Sequence, residues 1–452
     1  MPERPPGLDL VDLCRQAVEA ADGSGHVEAY AEETTRTSVR VRGGEVEALT
    51  SAASRGIGVR VIEDGRLGYA YAADPDQAEV VALVERAREA ARFAEPDEAN
   101  VLPGLVDVDP LEGMLRPSQL DVPAERKVQT AVELERAAVS ARSEVRKVES
   151  VSYGDAVSRA AIASTHGGPL EYSRTDCWVS VHSLAERDGE TQTGFAFRHE
   201  RELAELAWEE AAAEAADRAA RLLGGTKPTS ARVPVVLDPV AATAFLSVLA
   251  GGLSAESVQK GRSPLASLVD QEVASPSVTL VDDGRLLEGP AAAPFDDEGV
   301  ATGRTTLIDA GVLRGFLHNT RTAARGGTRS TGNAGRGGYR TPPGVSPTNL
   351  FVERGEGTVD GLLAAADGGV FVQEVSGLHS GANPVSGEFS VGAVGLRVRD
   401  GALAEPLREM TVASTLLDVL RSVQLVASDL RFLGGSLAAP TILVGEMTVA
   451  GT

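Results

Sequence analysis

The side chains that most often hold a catalytic metal ion are histidine, cysteine, aspartate and glutamate, placed so that several donors converge on one point. The histidines of this sequence are widely spaced, and no two lie within five residues of each other. They are His26, His166, His182, His199, His318 and His379. No helix of the chain can therefore present two imidazoles one turn apart.

The two cysteines, Cys14 and Cys177, are far apart in the sequence. They fit neither a disulfide framework nor a paired-cysteine metal spacing, and this usage is typical of a reducing compartment. Cys177 precedes Trp178 in a predicted strand, so we expect it to be a small core residue.

Other catalytic patterns are incomplete. No nucleophile elbow is present, and the glycine-rich stretch 326–344 lacks the Lys-Ser/Thr pair of a phosphate-binding loop. Asp296-Asp297-Glu298 could attract a cation, but three adjacent acids point in different directions, and we predict a solvated turn there. His199-Glu200 lacks a second histidine on its face and is predicted to be the charged beginning of a long helix.

Two polar segments, 314–323 and 377–390, combine His, Asn and Arg with glycine-rich loops. One interpretation is that these segments form tight turns that require positive φ, because Gly and Asn adopt positive φ at low cost. The other is the wall of a substrate groove. In that case the candidate substrate-binding residues are His318, Asn319, Arg321, His379 and Asn383.

The elements that must position these residues follow from the period of the apolar pattern. In the N-terminal half, a helix is followed by an antiparallel meander and a second helix, and after a Pro- and Asp-rich surface connection (95–123) the same order recurs. The predicted helices are 8–21, 76–93, 124–141 and 200–223, and the predicted strands lie within 26–73 and 145–198. Gly43-Gly44 and Asp64-Gly65 are predicted hairpin turns.

The C-terminal half has a different sequence pattern. A buried strand at 233–237 leads into a helix at 239–250, and from residue 278 onward many short strands alternate with polar loops. Residues 307–313 read as a hairpin. The sequence therefore predicts an α+β protein of two domains. Residues 1–228 form an antiparallel sheet with flanking helices, and residues 229–452 form a β-rich mixed domain.

Composition limits the partners. The 452 residues are 42% hydrophobic and 24% charged, with a formal net charge of −22. That field repels phosphate backbones and anionic lipid, so we expect neither nucleic acid nor membrane as a partner. Residues 1–6 lack the layout of a signal peptide, and no apolar run reaches about 18 residues. We expect a cytoplasmic protein.

The two polar segments, with Pro294–Gly299 and Arg408–Val412, resemble the signature stretches of the TldD/PmbA family. The resemblance spans most of residues 25–450, and the strings 296–319 and 383–389 are its most specific parts. It implies a two-domain fold and a cytoplasmic metalloprotease built as a dimer.

In TldD-type members, the resemblance implies a metal held by a His-Glu-x-x-x-His helix motif and a Cys near the C-terminus. Here Leu246, Ser247 and Gly251 occupy the motif positions, and the segment 429–436 contains no Cys. Leu and Gly offer no side-chain donor, and without the Glu no general base is present for a metal-bound water. We therefore expect neither metal nor catalytic residues in this chain, as in the PmbA (TldE)-type subunit. The C-terminal domain is then a degenerate metallopeptidase domain.

The family pairing implies that a TldD-like subunit supplies the metal, expected to be zinc, and that an extended peptide is the substrate. Such a peptide could add to a sheet edge through main-chain hydrogen bonds. Two alternatives stay open at this point. One is a self-sufficient hydrolase that uses His318 or His379, and the other is a regulatory interaction protein without enzymatic activity.

Overall fold

A computed structural model describes residues 9–23, 25–383 and 386–451. Its N-terminal half is one antiparallel sheet with strand order β3-β2-β1-β4-β5-β6. The strands are β1 (His26–Arg42), β2 (Glu45–Glu63), β3 (Arg66–Ala73), β4 (Val145–Ser164), β5 (Gly167–Arg187) and β6 (Glu190–Glu200). The helices are α1 (Leu10–Glu19), α2 (Gln77–Arg92), α3 (Pro117–Leu120), α4 (Ala124–Ala141) and α5 (Trp208–Ala220).

Two helix-meander-helix units thus meet edge to edge, because β1 pairs with β4 along most of its length. The predicted hairpin turns are confirmed: Gly43 and Gly44, and likewise Asp64 and Gly65, adopt the positive φ that such two-residue turns require. The predicted start of α1 at Leu8 lies outside the described residues.

Alternating side chains give this sheet two different faces. On β1, Val27, Ala29 and Ala31 are buried against α1 and α2, while Val39 and Val41 are buried against α4. The same helix-covered face contains Cys177, fully buried as expected of a core residue. Glu28, Tyr30 and Glu32 of β1 face the other way, towards the C-terminal domain.

Two local predictions are wrong. His199 and Glu200 do not begin a helix, because they end β6, where His199 pairs with Trp178 of β5. A 3-10 turn follows, and α5 begins only at Trp208. The connection 95–123 was predicted to lie on the surface, but Leu102, Leu105 and Met114 within it are buried.

The C-terminal half is built around a barrel-like sheet with strand order β16-β15-β14-β7-β19-β17, closed by a further pairing between β16 and β19. A second sheet has the order β10-β9-β8-β13-β18 and a small ribbon joins β11 to β12. The first strands are β7 (Ala231–Leu237), β8 (Leu280–Asp283), β9 (Arg304–Asp309), β10 (Val312–Leu313), β11 (Ala334–Gly335), β12 (Gly344–Val345) and β13 (Leu350–Val352). The others are β14 (Val370–Ser376), β15 (Glu388–Arg399), β16 (Ala402–Thr415), β17 (Val423–Val426), β18 (Leu437–Ala438) and β19 (Ile442–Gly451).

Helix α6 (Pro239–Gly252) packs between the barrel and the second sheet, and its apolar residues belong to the largest core of this half. The shorter helices are α7 (Ala255–Gln259), α8 (Thr320–Gly326), α9 (Val359–Ala365), α10 (Leu378–Gly381) and α11 (Leu416–Arg421). The predicted hairpin at 307–313 is confirmed as β9–β10. The α+β fold class is therefore confirmed.

Within the described residues, no helix is both long and apolar enough to cross a membrane.

Two glycines allow helices to approach the outer strands of the N-terminal sheet at equivalent points. Gly68 of β3 lies against the backbone of α2 at Ala87, and Gly194 of β6 lies against the backbone of α5 at Ala215 and Ala219. A Cβ at either glycine would overlap helix backbone, which cannot move aside as a flexible side chain can.

We therefore predict that Gly68→Ala and Gly194→Ala each lower the free energy of unfolding by about 1–3 kcal/mol, the usual range for overpacking. Gly251→Ala is the matched control, because Gly251 is helical and has open space around its Cα. It should raise the free energy of unfolding by about 0.4–1 kcal/mol. Urea titrations followed by circular dichroism measure all three. Equal effects at the three positions would contradict the close helix–strand contacts.

Candidate functional site

A cleft lies between the open face of the N-terminal sheet and the loops of the C-terminal domain. Its volume is about 690 Å³, the size of a typical small-molecule or peptide site. Aromatic, acidic and basic side chains share its wall. They include Tyr30, Glu32, Arg36, Tyr172, Arg174, Asp176, Trp178, Phe197, His199, Phe295, Asp297, Arg336 and Phe432.

At one end of the cleft, an aromatic platform lies flat on the sheet. The Trp178 ring covers Gly154, where any side chain would overlap it. The guanidinium of Arg36 lies 4.6 Å from the centre of this ring, which is within cation–π range. Thr34 and Ser158 hydrogen-bond beside it at 3.2 Å. This end thus presents a large apolar surface together with a cation.

At the other end, a buried ion network joins the two domains. Arg60 of β2 donates to Glu28 of β1 and, at 2.8 Å, to Glu298 of the C-terminal domain. Glu28 also accepts from Arg336, whose side chain is 1% exposed. Burial alone would raise the pKa of Glu298, but Arg60 and the backbone N–H of Thr320 hold that pKa below its ordinary value.

The acidic segment at 296–298 was predicted to be a solvated turn, and this prediction is wrong. Asp296 is 5% exposed and accepts three backbone hydrogen bonds, from Glu298, Val300 and Ala334. Asp297 accepts from the backbone N–H of Arg336 at 2.7 Å. Burial raises the pKa of both aspartates. The three acids do point in different directions, but each direction leads to a buried contact.

A third cluster lies on β5 and β6. Asp176 contacts His199 Nε2 at 2.9 Å and Arg174 Nε at 3.3 Å, and it also accepts from Arg201. Burial raises the pKa of Asp176, but the hydrogen bond to His199 and the two arginines outweigh burial and lower the pKa overall. An imidazole held by a carboxylate can move a proton. No serine or cysteine nucleophile contacts His199 in the described part of the chain, so this arrangement is better suited to binding than to covalent catalysis.

The predicted substrate-binding residues fall into two groups, and neither lines the cleft. His318, Asn319 and Arg321 lie where α8 begins. The buried Asn319 caps this helix in a reciprocal capping box with Thr322. For Asn319 the structure therefore shows a role in local backbone geometry, the first of the two interpretations. Arg321 contacts Asp97 at 2.7 Å. His318 is partly buried, and burial lowers its pKa.

His379 and Asn383 lie elsewhere, in and just after α10, and both are exposed. The next two residues, Pro384 and Val385, lie outside the described residues. Sequence reasoning missed the residues that do line the cleft. The signal available was the even-numbered run of polar and aromatic residues on β1: Tyr30, Glu32, Thr34 and Arg36. At the start of this strand the odd-numbered residues are apolar (Val27, Ala29 and Ala31), which indicates that the even-numbered face is the open one.

The positions of the family's metal motif do not fit a metal ion. Leu246 is 5% exposed and packs in the apolar core of the barrel domain. The Ser247 hydroxyl donates to the carbonyl of Ala244 at 2.6 Å, and Gly251 has no side chain. In the described residues no three His, Cys, Asp or Glu side chains are grouped to hold a metal. This helix is therefore a packing element.

We predict that Glu298→Gln destabilises the protein by about 3–5 kcal/mol near neutral pH, because it leaves Arg60 buried with one carboxylate fewer. Glu405→Gln is the control: Glu405 pairs with Arg399 on the surface, and its loss should not change stability measurably. Denaturant titrations at several pH values measure both effects.

The pH dependence has a defined sign. The folded state holds the pKa of Glu298 below its ordinary value, so the stabilisation is complete above the unfolded-state pKa, about 4.3. It is lost as the pH falls through the folded pKa. The gap between wild type and Glu298→Gln should therefore close in acid. A gap independent of pH would show that the carboxylate charge is not responsible.

Comparison with known proteins agrees with this architecture. Three family models match consecutive parts of the chain: PmbA/TldA metallopeptidase domain 1 at residues 27–91, the central domain at 117–223 and the C-terminal domain at 230–451. Metalloprotease PmbA of Escherichia coli O157:H7 is 28% identical over 449 residues, covering 98% of this chain and 96% of that protein. An uncharacterized protein of Methanocaldococcus jannaschii is 32% identical over 357 residues, covering 78% and 80%.

Solved structures share the fold over almost the whole length. A Thermotoga maritima protein described as a candidate modulator of a DNA gyrase is 29% identical, with a TM-score of 0.88 and coverage of 96% of this chain and 98% of that one. TldE from Thermococcus kodakarensis has a TM-score of 0.88 at 22% identity, covering 97% and 99%. The chain belongs to the PmbA/TldD family of metallopeptidase-like proteins.

Proposed function

We propose that this chain is the PmbA (TldE)-type subunit of a cytoplasmic TldD/PmbA metalloprotease. It acts in the proteolysis of peptides or unfolded segments as the partner of a TldD-like subunit, which supplies the metal, expected to be zinc. The observation that carries this proposal is the sequence of helix α6. Leu246, Ser247 and Gly251 occupy its metal-motif positions in place of the two histidines and the glutamate.

The chemistry of these side chains supports the assignment. A metal-bound water needs several protein donors to hold the ion and a base to accept its proton. Leu246 is part of the apolar core, and the hydroxyl of Ser247 already donates within its own helix. This helix therefore has neither the donors nor the base, and the reaction needs another chain.

The N-terminal sheet supports a role in holding an extended chain. Strand β3 pairs with β2 only from Gly56 to Glu63, so no strand covers the outer edge of β2 from residue 45 to residue 54 in the described structure. All ten of these residues are exposed. Their free N–H and C=O groups can accept an added strand through main-chain hydrogen bonds, a mode that recognises extended conformation more than side-chain identity.

The interdomain cleft supplies the side-chain contacts in this proposal. Its aromatic platform around Trp178 suits apolar residues, and its charged residues suit polar ones. Of the residues predicted from the sequence, His318, Arg321, His379 and Asn383 remain proposed contacts of the peptide, whereas the buried Asn319 serves as the cap of α8. The net charge of −22 disfavours nucleic acid or anionic membrane as the ligand.

The test compares three preparations: this chain alone, the TldD-like chain of the same genome alone, and the two co-expressed. We predict cleavage of unfolded casein only by the co-expressed pair, because neither chain alone contains both the metal site and the proposed peptide-holding surfaces. Replacing the glutamate of the partner's motif by glutamine should abolish the activity of the pair.

Two results would contradict the proposal, and each identifies an alternative. A partner that is fully active alone and unchanged by this chain would indicate a regulatory interaction protein. Cleavage by this chain alone, lost in His318→Ala or His379→Ala, would indicate a self-sufficient hydrolase.

A further inference from the structure

Two histidines that are 140 residues apart in the sequence meet on the surface of the N-terminal sheet. His26 begins β1, and His166 lies in the turn between β4 and β5. The Nδ1 atom of His26 is 2.8 Å from the Nε2 atom of His166, and the rings lie at 84° to each other. Both side chains are exposed.

The backbones that carry these rings are fixed on both sides. Val27 and Thr165 exchange hydrogen bonds next to the pair, through the Val27 carbonyl and the Thr165 hydroxyl. The N–H of His166 donates to the hydroxyl of Ser164 at 3.0 Å, and its carbonyl accepts from the N–H of Leu105 at 3.1 Å. The two imidazoles are therefore presented by a rigid frame, as a preorganised binding site requires.

We propose that His26 and His166 form a binding site for a divalent transition-metal ion such as Ni²⁺, Cu²⁺ or Zn²⁺. Imidazole nitrogen is a preferred ligand of these ions. Bonds of about 2.0–2.1 Å at angles of about 90–109° place two ligand nitrogens about 2.8–3.4 Å apart. The observed separation of 2.8 Å is at the lower end of this range, so the two nitrogens are already at a distance at which both can ligate one ion.

The net charge of −22 attracts cations to the chain. Glu63 lies beside Gly25, the residue before His26, but its carboxylate is paired with Arg88 at 3.2 Å, so it is not counted as a ligand. Because both rings are exposed, water completes the coordination shell. This site is separate from α6 and does not depend on the proposed proteolytic role.

Isothermal titration of the full-length chain with Ni²⁺ alone, and separately with Zn²⁺ alone, tests the site. Wild type should bind one ion per chain at this position, and His26→Ala and His166→Ala should each weaken binding at least tenfold. His379→Ala is the matched control, because His379 is equally exposed but belongs to α10. Its affinity should equal that of wild type. Wild-type affinity no stronger than that of the His26 and His166 variants would overturn the proposal.

Two further measurements keep the test decisive if a variant folds poorly. A bound ion links the start of β1 to the β4–β5 turn, so Ni²⁺ should raise the Tm of wild type and of His379→Ala. It should leave the Tm of the other two variants unchanged. The electron paramagnetic resonance spectrum of wild type with one equivalent of Cu²⁺ should show two nitrogen ligands. A spectrum with one nitrogen or none would refute the paired site without any variant.

Discussion

The N-terminal sheet and the C-terminal domain are held in register by buried charge. Arg60 pairs with both Glu28 of the sheet and Glu298 of the C-terminal domain, and Arg336 of the C-terminal domain pairs with Glu28. All four side chains are at most 4% exposed. Removing four charges from water costs several kcal/mol for each ion, and the cost is recovered only where the geometry satisfies every group. Such a network tolerates few alternative placements of one domain on the other. It therefore fixes the shape of the cleft, whose walls come from both domains.

The same network organises residues that are distant in sequence. Glu298 accepts from Arg60 through one oxygen and from the backbone N–H of Thr320 through the other. It thereby holds the start of α8, where His318, Asn319 and Arg321 lie. Tyr339 packs over Gly56 and Gly58 on the sheet, and its carbonyl accepts from Tyr69 at 2.8 Å. Parts of the 294–299 and 314–323 segments thus lie at the interface between the N-terminal sheet and the C-terminal domain.

Sequence reasoning recovered what local patterns encode. Period-two runs and two-residue turns predicted the meanders, and helix α4 was predicted with its bounds, because these features depend on neighbours in the chain. It failed where the deciding partner is far away. Asp296 and Glu298 look like a solvated turn because nothing nearby in sequence could neutralise them, while Arg60 is 238 residues away from Glu298. His199-Glu200 looked like a helix start because a polar strand end and an acidic helix start have similar compositions. Barrel closure through β16 and β19 and the cleft itself also depend on such distant contacts.

Helix α6 is a structural element that links the two halves of the chain. Its N-cap, Asp238, contacts Arg218 of α5 at 2.7 Å, so the helix is anchored to the preceding domain from its first turn. Burying a leucine contributes about 1.5–3 kcal/mol, whereas a buried histidine without a metal or hydrogen-bond partner is destabilising. With Leu246 in the core, this helix packs stably without any ion. Because Leu246, Ser247 and Gly251 do not form a set of metal donors, packing against the barrel and the second sheet is what this stretch of α6 has to satisfy.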